Sequence, residues 1–253
     1  MKKALFYVVM FLFVQVVVTS IVSLVFKICG QPATSPEQFI LSISLFNIIV
    51  IALFAWQKWT PVNRQYMLSR PGGVLCWTVL AALGTILPSL WLQDVLPELP
   101  NKLEEQFAQI MANRWGYFAV GLLAPIAEEF VFRGAALRAL LEWTRKPWLA
   151  IVISALLFSL AHMNPAQMVH AFLIGMLLGW MYWRTGSIIP GIAFHWVNNT
   201  IAYVAENLLP GQTDHLADLF GGNQQSILLS VLFSLCILLP SLFQLHQRMS
   251  KAS

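Results

Sequence analysis

The scarcest commodity in this chain is charge. Only 10% of its 253 residues are Asp, Glu, Lys or Arg, against about 25% in an ordinary soluble domain. So few charges cannot cover a globular surface, and with 58% hydrophobic residues the natural solvent for most of that surface is lipid. The formal net charge of +4 is too small to suggest a nucleic-acid partner. Cysteine is nearly absent as well. Cys29, Cys76 and Cys236 stand far apart with no CxxC pair, which excludes a disulfide framework and a sulfur-rich metal site. Cys76 and Cys236 lie inside apolar runs and read as packing residues. Internal repeats and low-complexity linkers are missing too, so residues 1–253 are expected to form a single integral membrane domain with no large soluble module.

Long apolar runs are what the chain does have. The stretch after Met1-Lys2-Lys3 stays apolar to about Phe26. That is too long for a cleaved signal, and no small-x-small site ends it, so it is expected to be the first span. A spanning helix needs about 20 apolar residues. Candidate spans fall at 4–26, 39–56, 74–92, 115–141, 148–162, 166–183, 188–209 and 226–243, and most of the breaks between them hold Pro or Gly. Residues 101–113 are polar and read as a short interfacial helix. The expected fold is therefore all-α, a polytopic transmembrane bundle of about eight spans. The segments 148–162 and 166–183 also suit a re-entrant pair. With the N-terminus inside, Lys2, Lys3, Lys58, Arg64, Arg70, Arg138, Arg145, Lys146, Arg184, Arg248 and Lys251 fall on the inner side. Only Lys27, Lys102 and Arg114 fall outside, where acids such as Asp94, Glu98 and Asp214 also lie. Basic residues collect on the cytoplasmic side, so both termini are expected there.

Against this background, ionisable residues inside the spans need a reason, because each costs roughly 2.5–3.5 kcal/mol at mid-membrane on insertion scales. The span at 115–141 carries Glu128, Glu129 and Arg133. Residues four apart share a helix face, so Arg133 can neutralise Glu129 within one helix, while Glu128 points about 100° away. A buried pair that only fixes packing explains Glu129 and Arg133 as well as a functional role does. Glu128 has no such partner, and an unpaired buried carboxyl suits general acid–base work. His162 ends one apolar run with Phe158 a turn earlier, and His195 and Asn199, four apart, can face one point from another. His170 has no partner at helical spacing and reads as structural; Asn198 lies off the His195 face and reads as its neighbour.

At these residues the chain resembles the type II CAAX prenyl endopeptidases and their bacterial relatives, the CAAX protease and bacteriocin-processing family of intramembrane proteins. The family's E-E-x-x-x-R, F-x-x-x-H and H-x-x-x-N/D motifs read here as Glu128 to Arg133, Phe158 to His162 and His195 to Asn199, with an Arg-Thr-Gly-Ser turn at 184–187 between the last two. The resemblance covers about residues 118–204, so a catalytic core is expected over the spans at 115–209. It implies an endopeptidase in which Glu128 activates the attacking water and His162 helps to position and deprotonate it. His195 and Asn199 would donate to the oxyanion, with Glu129 and Arg133 in support. The expected cofactor is none. Two alternatives stay open: Glu128, His162 and His195 as a His₂Glu zinc set without an H-E-x-x-H motif, and a non-catalytic membrane scaffold, immunity factor or transporter. The implied partners are the lipid bilayer and a peptide or protein substrate, lipidated or membrane-embedded. The compact length and Met-Lys-Lys start suggest a prokaryotic plasma membrane.

Overall fold

The computed structural model describes the chain apart from Ala33, Asn63, Ser69, Arg70, Glu98, Thr213, Asp214 and residues 251–253, and apart from the side chain of Arg64. Among the loop charges used for orientation, Arg70, Glu98, Asp214 and Lys251 thus lie outside the described residues, as does the Arg64 side chain. The described residues contain helix and no strand.

Helices occupy each interval where a span is expected. They are α1 (Lys2–Ile28), α2 (Pro36–Trp56) and α3 (Gly72–Val95), then a composite rod, α4, over 114–144. The hairpin α5 (Pro147–Ala161) and α6 (Pro165–Thr185) follows, then α7 (Ile189–Leu208) and α8 (Gln224–Arg248). The polar segment expected near 101–113 contains a short helix, Glu104–Met111. Prolines open α2, α5, α6 and α7 in their first turns, where the missing N–H has no intrahelical partner to lose. Five helices (α1, α2, α3, α6 and α8) are long and apolar enough to cross a membrane. With 15 residues, α5 is about 22 Å long, shorter than the hydrocarbon core.

The surface supports a multi-pass membrane protein. In α1, Ala4, Tyr7, Val8, Phe11, Val14, Val18 and Val22 form one buried stripe. The opposite face, with Phe6, Val9, Phe13, Val16, Ile21 and Leu24, is equally apolar yet exposed. A helix hydrophobic all round needs protein on one side and lipid on the other. Exposed tryptophans sit at helix ends (Trp56, Trp91, Trp115, Trp143 and Trp148), as in the aromatic belts of membrane proteins. All three cysteines are exposed. The packing role expected for Cys76 and Cys236 is therefore corrected: they lie on outward helix faces, where an apolar run cannot distinguish lipid from core.

The central element is α4, whose winding changes along its length. Residues Arg114–Gly116, Ala124–Glu128 and Arg138–Thr144 are α-helical, whereas Tyr117–Leu123 and Glu129–Leu137 are π-helical, with i→i+5 bonding. Neighbouring elements supply donors to the carbonyls of the wide turns. The Thr60 hydroxyl donates to Phe130 O at 2.5 Å, Ser154 to Phe132 O at 3.0 Å, and the Asn199 amide to Val120 O at 3.0 Å. Arg138 donates to Trp59 O at 2.8 Å, tying the end of the rod to the turn after α2. Every residue from Glu129 to Leu137 is buried. The main apolar core gathers around this stretch, with Phe11, Phe46 and Phe54 from α1 and α2 and Ile151 and Phe158 from α5.

Candidate active site

Four elements carry the polar residues singled out in the sequence. The rod α4 brings Glu128, Glu129 and Arg133; the C-terminal end of α5 brings Phe158 and His162; α7 brings His195 and Asn199; and α6 packs behind them. The hairpin is drawn tight because Gly175 of α6 faces Ala155 of α5: a Cβ at Gly175 would stand 3.1 Å from Ala155 and 3.3 Å from Phe158. His162 caps α5, just before Met163, which adopts a left-handed φ of 53°. The turn is anchored by Asn164, whose amide donates to Asn101 Oδ1 at 2.9 Å while its oxygen accepts from Lys102 N at 3.1 Å.

The two glutamates have separate environments. Glu129 is sealed in the core and meets Arg133 at 2.9 Å, with both side chains essentially inaccessible. This contact is an ion pair without good hydrogen-bond geometry, since Arg133 Nη1 and Nε have no hydrogen-bond partner among the described residues. Arg133 also donates to Gly175 O at 3.4 Å and lies 4.3 Å above the Phe158 ring, a cation–π distance. Glu128, on the adjacent face, is 19% exposed. The pairing expected of Glu129 and Arg133 is present, and Glu128 is free of Arg133's direct contact.

His195 stands between the two carboxylates. Its Nδ1 is 3.4 Å from Glu129 Oε1 and its Nε2 is 3.6 Å from Glu128 Oε2. Phe158 links the histidines edge to face, with centroids 4.8 Å from His162 and 5.8 Å from His195. His162 Nδ1 lies 2.9 Å from Phe158 O. A carbonyl accepts only, so Nδ1 carries a proton, and in the neutral ring Nε2 is an acceptor. Asn199 spends one amide hydrogen on Val120 O and retains a second.

The structure thus joins Glu128, Glu129, Arg133 and His195 by direct contact. His162 joins through Phe158, and Asn199 lies one helical turn beyond His195. Among the described residues, no group of three or more His, Cys, Asp or Glu side chains is arranged to hold a metal ion.

Sequence reasoning missed two neighbours. A Cβ on Gly191 would lie 2.5 Å from Glu129 Oε2, so the first turn of α7 must be bare there for the carboxylate to fit. The only signal was a glycine after Pro190. The second neighbour is His170, whose Nε2 lies 3.4 Å from Asn198 Nδ2. The partnership of His170 and Asn198 crosses from α6 to α7 and leaves no spacing within one helix, so the sequence alone does not reveal it.

No curated protein and no solved structure matches the chain. A family model does, over residues 111–201, the stretch from the end of the short polar helix through Asn199. That family is described as type II CAAX prenyl endopeptidase Rce1-like, and the segment that carries the candidate site is similar to it.

Proposed function

We propose that the chain is an intramembrane endopeptidase that hydrolyses a peptide bond with water activated by Glu128. The observation that supports this best is the placing of His195 between a sealed carboxylate and a partly open one. Arg133 compensates Glu129 and leaves Glu128 to act on water. With His195 protonated, the charges of Glu128, Glu129, Arg133 and His195 sum to zero, which limits the cost of holding them away from bulk water.

In this reading Glu128 takes one proton from water, and His162 Nε2 accepts a hydrogen bond from the O–H that remains, fixing its direction. The hydroxyl oxygen bonds to the scissile carbonyl carbon. The resulting oxyanion receives hydrogen bonds from His195 Nε2–H and the second Asn199 amide hydrogen. Collapse breaks the C–N bond, and the amine leaves with the proton held by Glu128. Donors fixed before reaction are worth most in a dry site. The Rce1-like segment makes a C-terminal CAAX-type peptide, prenylated and partly embedded in lipid, the substrate class to try first. Eight crossings with both termini cytoplasmic accommodate the chain, with α5 as a short span.

The test is incubation of purified, reconstituted protein with prenylated CAAX peptides and a broader peptide library, with cleavage read by mass spectrometry. Metal content is assayed on the same sample. Cleavage by the wild type and none by Glu128→Gln is expected. Stoichiometric zinc that disappears in His195→Ala would replace the metal-free scheme, and a folded wild type that cleaves nothing would favour a scaffold or immunity role.

A further inference from the structure

Two residues with no part in the reaction above flank its oxyanion donors on α7: Trp196 follows His195, and Thr200 follows Asn199. Both reach the same atom of α4. The Trp196 indole Nε1–H donates to the Tyr117 hydroxyl at 3.0 Å, and that hydroxyl lies 3.2 Å from Thr200 Oγ1. An indole N–H only donates, so the phenol oxygen accepts there and keeps its own hydrogen and a second lone pair for the threonine. Tyr117 opens the first π-helical stretch of the rod. Its ring lies along α4 over Gly121, where a Cβ would stand 2.5 Å from Cδ2 and 2.7 Å from Cε2. Tyr203 of α7 packs against the same ring, with centroids 5.3 Å apart. Both contacts hold the hydroxyl in place against α7.

Residues 196 and 200 are four apart and share one face of α7, about 100° from the face that carries His195 and Asn199. One hydroxyl fastened to two points a turn apart resists rotation of that helix about its axis. With side chains an α-helix is about 5–6 Å in radius, so a rotation of about 10° would move a ring such as His195 by about 1 Å. A displacement of that size is enough to spoil a catalytic geometry. We propose that Tyr117 is a positioning residue for the hydrolysis: its hydroxyl, through Trp196 and Thr200, fixes the rotation of α7 at which His195 stands between the glutamates and Asn199 serves the oxyanion. This inference rests on the peptidase reading for its activity, and it adds a residue that the reading does not use. The Asn199 bond to Val120 O joins the same two elements, but it is made by a reacting group itself. The Tyr117 clamp is made by side chains outside the reaction. Because the donors it aims act on charge that develops in the transition state, it governs the chemical step and leaves binding nearly untouched.

The test uses the full chain in nanodiscs, with kcat and KM measured on a farnesylated CAAX-type peptide or, failing that, on a library peptide that the wild type cleaves. Tyr117→Phe keeps the ring and removes only the oxygen. It should lower kcat by about 10–10²-fold with KM and melting temperature near wild type. Thr200→Ser retains a hydroxyl and should stay close to wild type, whereas Thr200→Val should lose kcat. Tyr203→Phe is the control: it removes a comparable bond, to Asn113 O at 3.1 Å, that also ties α7 to the start of α4 but lies two turns beyond His195. Its kcat should be nearly unchanged. Wild-type kcat for Tyr117→Phe, a loss confined to KM or melting temperature, or an equal loss of kcat in Tyr203→Phe overturns the proposal while the peptidase reading survives. Should Tyr117→Phe not fold, Thr200→Val against Thr200→Ser makes the comparison, and equal rates overturn it. If the wild type cleaves nothing, the peptidase reading has failed, and ¹⁵N-histidine NMR decides the clamp. The His195 ring-nitrogen signals, identified by their loss in His195→Gln, should shift in Tyr117→Phe; unchanged signals overturn the positioning role.

Discussion

Substituting Gly191 by alanine tests how closely the fold holds the buried carboxylate. The added methyl would lie 2.5 Å from Glu129 Oε2 and 3.2 Å from its Cδ. Ordinary contact begins near 3.4 Å, so the carboxylate oxygen must retreat by about 0.9 Å, the difference between 3.4 and 2.5 Å. A surface glutamate would swing aside at little cost. Here the same carboxylate is held by Arg133 at 2.9 Å and faces His195 at 3.4 Å, within a fully buried stretch of α4. Overpacking of this kind typically costs about 1–3 kcal/mol. The displaced carboxylate also carries His195 with it, and a misplacement of about 1 Å at a catalytic group can cost about 10²-fold in rate. Thermal unfolding in detergent and single-turnover cleavage, measured on the same preparation, are the assays. A Gly191→Ala protein with wild-type melting temperature and wild-type rate would refute the claim that Glu129 is locked against α7.

Arg133→Ala should be severely destabilising, by about 3–5 kcal/mol, because it strands a buried carboxylate; folded yield and detergent melting report it, and unchanged values would show the pair to be dispensable. Asn199→Ala should lower kcat by about 10²–10³ with little change in KM, as for loss of one oxyanion donor; because Asn199 also donates to Val120 O, a modest drop in melting temperature should accompany it. A KM effect alone would remove Asn199 from the oxyanion site. Cysteine labelling at introduced terminal cysteines, in a background lacking Cys29, Cys76 and Cys236, should place both ends on the cytoplasmic side; protection of either end from a cytoplasmic reagent contradicts the proposed orientation.

Most of the helical layout was legible because membrane spans announce themselves by length, apolarity and punctuation. Expected segments such as 39–56 and 166–183 appear as Pro36–Trp56 and Pro165–Thr185, each begun by its proline. The Glu129–Arg133 pair was also legible, since four-residue spacing brings the two together in an α-helix and still does so at 2.9 Å in the wider winding. The π winding itself was not. It depends on donors such as Thr60 and Ser154 reaching Phe130 O and Phe132 O from other elements, and no local pattern encodes a contact across 70 residues. The same holds for Asn198 and His170, and for the open approach of Gly191 to Glu129. Exposure of Cys76 and Cys236 was misread because hydrophobicity does not separate a lipid-facing side chain from a buried one.

The central claim is that Glu128 and His162 act as one unit on the attacking water. Single-turnover cleavage rates for Glu128→Ala, His162→Ala and the double mutant, on a peptide the wild type cleaves, test it most directly. The account predicts a double mutant barely slower than the slower single mutant, as for residues that serve one step together. Rate losses that multiply in the double mutant would contradict it.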